Sequence, residues 1–143
     1  MAARAVQARP TRLRIAVPAD FDLARDACSY GYFLLEPYGW HPDSSSFSAT
    51  LALEDGAAHV VLRQSRVGMH LAGSCDRSLS RKEVSQARSM IARILRLDES
   101  ADDIAEFHAV AARWRYSGRG RLKRSATKFE DIAKTVTSCN VQW

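Results

Sequence analysis

Apolar positions follow two different periods along this chain, and the change falls near its middle. Leu13-Arg-Ile-Ala-Val17 alternates and stops at Pro18, as a short edge strand does. Asp20 is placed as the N-cap of a helix whose inward face is Phe21, Leu23, Ala24 and Ala27. The aromatic, apolar run Tyr30 to Leu35 reads as a strand returning to the core, and Pro37 to Ser46 as a loop. Phe47, Leu51 and Leu53 then alternate with Ser48, Thr50 and Ala52. Asp55-Gly56 follows as a hairpin signal in a loop longer than the tightest type, and His59 to Gln64 forms the return strand. Val67, Met69 and Leu71 continue the alternation into a third strand. These elements predict a small antiparallel sheet carrying one helix.

Beyond residue 79 the period becomes helical. Ser80-Arg-Lys-Glu83 has capping-box form, and Val84, Ala87, Ile91, Ile94 and Leu95 follow it on one face. Ser100 opens a second helix with Ile104, Phe107, His108 and Ala111 inward, ending near Trp114. Ser100-Ala-Asp-Asp103 and Thr127-Lys-Phe-Glu130 are the second and third capping-box patterns, and the latter opens a third helix striped by Phe129, Ile132, Ala133, Val136 and Asn140. That last stripe runs to Trp143 without a Gly, Pro or basic stop signal, which predicts a cut chain and self-association through the uncovered face. The class is therefore α+β: a flexible arm over 1–11, an antiparallel-sheet domain with helices over 12–98, and the start of a helical domain over 99–143.

Composition adds limits. The 143 residues are 46% apolar and 26% charged, an ordinary globular balance that excludes disordered and collagen-like chains. No apolar run approaches the roughly 18 residues that would span a bilayer. The basic N-terminus has no apolar signal core, and three widely spaced cysteines read as reduced, intracellular thiols. Charge is more telling. Between Arg113 and Lys134 stand eight bases against two acids, so this segment holds the whole net excess of +5. Such a patch, interleaved with Gly and Ser, suits phosphate contacts or a solvated loop.

On these residues the sequence resembles DNA glycosylases of the helix-hairpin-helix superfamily, in the 8-oxoguanine and 3-methyladenine branch. One block is Phe21-Asp-Leu-Ala-Arg-Asp-Ala-Cys-Ser-Tyr-Gly-Tyr-Phe-Leu-Leu35 with Trp40 after a proline-containing loop. The other is Gly120-Arg-Leu-Lys-Arg-Ser-Ala-Thr-Lys-Phe-Glu-Asp-Ile-Ala-Lys-Thr-Val-Thr-Ser-Cys-Asn140, similar to the family's glycine-arginine-leucine loop and the helix whose end faces DNA. Ala126 and Lys128 depart from the usual proline and apolar residue. The family's Gly-rich hairpin and catalytic Asp, joined in some members by a nucleophilic Lys, have no counterpart in these 143 residues.

The resemblance implies that the partner is double-stranded DNA with a damaged base, that the complete protein is a monomer, and that no cofactor, metal or membrane is involved. It places Asn140 at the helix end that fills the gap left by a flipped nucleotide, a task an amide suits because it both donates and accepts. Gln142 stands nearby. Arg121, Lys123 and Arg124 would make phosphate or structural contacts around the helix start. The four His and three Cys have no metal-ligand spacing. Cys139 reads as a small buried residue, Asp102-Asp103 and Glu130-Asp131 as helix-start acids, and Tyr30, Tyr32, Phe33 and Trp40 as core. Two readings remain beside the glycosylase: a stand-alone basic DNA-binding module, and a truncated product without function.

Overall fold

The computed structural model describes residues 9–29 and 31–138. Five strands form one antiparallel sheet: β1 (Arg12–Ile15), β2 (Tyr38–His41), β3 (Ser46–Leu53), β4 (Gly56–Gln64) and β5 (Leu71–Cys75), in the order β1-β5-β4-β3-β2. Four helices accompany it: α1 (Leu23–Ala27), α2 (Arg81–Leu95), α3 (Ala101–Val110) and α4 (Lys128–Ser138). The α+β class and the edge position of β1 are as expected from the sequence.

The sheet's inner face buries Leu13, Phe47, Leu51, Val60, Leu62 and Leu71, against which α2 packs Ala87, Ile91 and Ile94. Strict alternation in β1 and β5 makes this face apolar and leaves the other to solvent. Two of the three expected capping boxes are complete. Ser80 Oγ accepts from Glu83 N and the Glu83 carboxylate from Ser80 N; Ser100 and Asp103 repeat the exchange.

Several expectations are corrected. Tyr38–His41, read as loop, is strand β2 at the free edge beside β3, where flanking prolines are tolerated. With that edge taken, the Tyr30–Leu35 run has no partner strand, and Gly31–Leu34 forms a 3-10 turn instead. The β3–β4 connection is as tight as hairpins come, because Leu53 pairs directly with Gly56 and leaves a two-residue loop. Val67 and Met69 lie in the exposed turn before β5 rather than in it. The cap of α1 is Asp22, whose carboxylate accepts from Arg25 N, not Asp20. Helix α3 stops at Val110 and continues as a 3-10 turn over Ala112–Trp114. Of its expected inward residues Ile104 is buried, while Phe107 is 40% exposed.

The β4–β5 turn is anchored rather than free. Gln64 accepts from Leu23 N at 2.7 Å and donates to Phe21 O and Met69 O, while Gly68 N donates to Phe21 O. Gly68 has a φ of 69°, and a Cβ there would meet Ala19 O at 2.1 Å. Both the left-handed backbone and the contact with a main-chain oxygen demand glycine. Gly68→Ala is expected to cost at least about 2 kcal/mol, read as a lower urea midpoint at unchanged m. A loss below about 0.5 kcal/mol would show that the turn moves freely away from Ala19.

Candidate nucleic-acid interface

Residues 119–126 run as an extended segment between α3 and α4, and an alternating burial pattern decides what each side chain can do. Arg121, Lys123 and Ser125 point inward, whereas Leu122 and Arg124 face out. Arg124 N donates to Ile94 O at 2.9 Å, which pins the segment to the end of α2.

Arg121 is only 1% exposed. Its guanidinium donates to both Asp20 carboxylate oxygens, at 2.7 and 2.9 Å, and to Glu99 O at 3.0 Å. Asp26 lies 3.7 Å away and is itself gripped by Arg25 through two bonds of 2.8 and 2.9 Å. The Arg121 bond holds the Asp20 carboxyl below the usual range despite partial burial.

Lys123, 5% exposed, sets its ammonium 3.4 Å from the centre of the Tyr38 ring. Burial, reinforced by the neighbouring Lys134 charge, pushes its pKa down to about 7. The same pocket orders the start of α4. Glu130 accepts from Tyr38 Oη at 2.9 Å, from Ala126 N at 3.2 Å and from Lys134 Nζ at 2.5 Å. Asp131 accepts from Ser125 N and from Arg93. Thr127 Oγ1 accepts from Glu130 N, so half of the expected capping box is present. The Glu130 carboxylate is committed to Tyr38, Ala126 and Lys134. Burial, with the Glu130 charge beside it, raises the Tyr38 hydroxyl well above its ordinary pKa.

Of the five site residues named from the sequence, Arg124 lies at the surface, Arg121 and Lys123 are engaged inside the protein, and Asn140 and Gln142 lie outside the described residues. Cys139 also lies outside them. The outer basic surface is made instead by Arg113, Arg115, Arg119, Arg124 and Lys128. Beside it opens a cavity of about 380 Å³ lined by Ser29, Phe107, Trp114, Arg119, Gly120 and Leu122. Arg113 stacks over the Trp114 ring at 5.4 Å. A partial signal for this pocket is legible in the residues themselves: aromatic side chains flank a Gly-rich basic loop. The helical period assigned Phe107 to the core instead.

Along α4, Phe129, Ile132 and Val136 are 81%, 64% and 66% exposed, an open apolar stripe beginning next to the basic surface. Among the described residues no group of three His, Cys, Asp or Glu could hold a metal ion. Among the same residues no helix is long and apolar enough to cross a membrane.

No protein-family model matches the sequence, and no curated protein matches it by sequence. The backbone is similar to that of a 3-methyladenine DNA-glycosylase from Archaeoglobus fulgidus, with a TM-score of 0.72 at 16% identity. The likeness covers 91% of this chain and 45% of that one. The two chains therefore share a fold over the part of that structure that is matched. The chain spans less than half the length of that solved structure.

Proposed function

We propose that this chain is the N-terminal part of a base-excision-repair DNA glycosylase, which flips a damaged purine out of duplex DNA and hydrolyses its N-glycosidic bond. The single observation that carries the reading is the glycosylase fold over 91% of the chain. The basic surface beside α4 supports it. Arg124 and its exposed neighbours contact phosphates, while Asn140, with Gln142 near it, enters the space left by the flipped nucleotide. Arg121 and Lys123 act by holding the loop and the first turn of α4 in place. Chemistry belongs to a Gly-rich hairpin and Asp supplied from outside these residues.

The protein alone is therefore expected to bind duplex DNA with an affinity that falls steeply with salt, and to release no base from alkylated duplex. Release of a methylated purine by these 143 residues would overturn the assignment of catalysis. The DNA encoding the residues after Trp143 provides the second test. A frame that continues into a Gly-rich hairpin and an Asp supports the glycosylase. A stop codon there, with equal affinity for damaged and undamaged duplex, leaves a DNA-binding module without chemistry.

A further inference from the structure

The sheet carries a second feature on its other face. None of the residues in its five strands is acidic, and their arginine and histidine side chains are Arg12, Arg14, Arg63, His41 and His59. All five are exposed, and the pairing register puts all five on the face turned away from the core. Arg14 and Arg63 stand opposite the same small residue, Ala72, in one cross-strand row. Arg12 stands opposite Ser74 in the next row. No hydrogen bond or ion pair engages the guanidinium of Arg12, Arg14 or Arg63 among the described residues.

Strand geometry fixes the spacing. Arg12 and Arg14 are about 7 Å apart along β1, and Arg14 and Arg63 are about 10 Å apart across two strand gaps. Ala72 and Ser74 keep the floor between them low, so the long arginine side chains can close from both sides onto an anion resting there. Asp76, just beyond β5, accepts from His59 N. The face bears no exposed aromatic or large aliphatic side chain, Val61 being half-buried. It thus lacks the apolar anchors that dominate protein–protein interfaces, while guanidinium, imidazole and hydroxyl groups are the donors that contact phosphates.

We propose that this open sheet face binds nucleic acid through its phosphates, independently of sequence. The side chain of Tyr38, which bonds Glu130 of α4, projects from the opposite side of the sheet. The open face therefore holds a second length of duplex, separate from one lying along the surface beside α4.

The test uses two 20-base-pair undamaged duplexes, one carrying a donor fluorophore and one an acceptor, with the full chain at several salt concentrations. The wild-type protein brings the two duplexes together and gives energy transfer. Arg14→Ala with Arg63→Ala abolishes the transfer, weakens binding several-fold and reduces the salt slope by roughly 1.8, about 0.9 for each lost phosphate contact. Arg14→Lys with Arg63→Lys keeps most of the slope, because the charge remains. Arg124→Ala with Lys128→Ala leaves the sheet-face contribution intact, so that failure of the surface beside α4 is distinguishable from failure of this one. Both arginines are exposed, and an unchanged melting curve checks that the double variant folds. An unchanged slope and undiminished energy transfer in Arg14→Ala with Arg63→Ala would overturn the proposal. So would binding of polyglutamate to this face that duplex DNA fails to displace, which would assign it to an acidic protein partner.

Discussion

Arg121→Ala is expected to lower the unfolding free energy by about 3–5 kcal/mol, among the largest effects of any single substitution in this chain. The reason is geometric. Arg121 ties its own segment to the Glu99 carbonyl before α3 and, about a hundred residues back in the chain, to the Asp20 turn and Asp26 of α1. Truncation removes the hydrogen-bond donors from Asp20 and Glu99 O and the ion-pair partner of Asp26, and leaves a space lined by Phe21, whose ring centre lies 5.9 Å from the guanidinium carbon. Asp26 keeps its two bonds to Arg25, so the charge stranded by the change is mainly that of Asp20. Arg121→Lys should recover little, because one ammonium cannot reproduce paired bonds to Asp20 and a third to Glu99 O. Asp20→Asn should cost far less, on the order of 1 kcal/mol, since that carboxylate is partly open to water. Urea titrations followed by circular dichroism separate these cases. A loss under about 1 kcal/mol for Arg121→Ala would mean that the guanidinium's burial cost cancels its bonds, as it can for buried ion pairs.

Arg121 also marks where sequence reasoning reached its limit. The two-residue period of β3 to β5 and the 3.6-residue period of α2 identified the core, because each period buries one face whatever the tertiary context. The capping boxes at Ser80 and Ser100 were legible for a similar reason: both partners lie within four residues. What stayed hidden depends on distant partners. Asp20 looks like a helix cap until Arg121, 101 residues on, is brought against it. The segment 119–126 reads as a solvated basic loop because cations are rarely buried. Its alternation turns two of them inward only because Asp20 and the Tyr38 ring are there to receive them. Tyr38–His41 was missed because its strand signal is four residues long and bracketed by prolines. In the site, Arg124 was legible as surface charge, whereas the cavity beside Trp114 arises from the packing of α3 against the loop, and residue spacing alone does not give it.

Lys123 supports a second large effect, one that depends on pH. Its pKa in the folded protein is about 7, against 10.5 for the free side chain. Desolvation is the main cause, with Lys134 adding repulsion and Glu130 and Asp131 opposing it. The unfolded chain therefore binds more protons than the folded one between these values, and stability rises as pH increases through 7. From pH 7 to 8.5 the gain should be about 1.6 kcal/mol, given 1.36 kcal/mol per pKa unit and a native amine half-protonated at the start. Above that window other groups oppose the rise. Burial raises the thiol pKa of Cys28 and Cys75 in the folded state, and Tyr38 is raised as well, so ionisation of these groups favours the unfolded chain at higher pH. Lys123→Met keeps most of the volume and contact with the Tyr38 and Phe47 rings but has no charge to desolvate. It should flatten the profile between pH 7 and 8.5 and be more stable than wild type at pH 6, where the native lysine carries its full desolvation cost. Urea midpoints at half-unit pH steps provide the measurement. A parallel rise in wild type and Lys123→Met would assign the pH dependence to another group. A flat wild-type profile would mean that attraction to the Tyr38 ring keeps the buried amine charged.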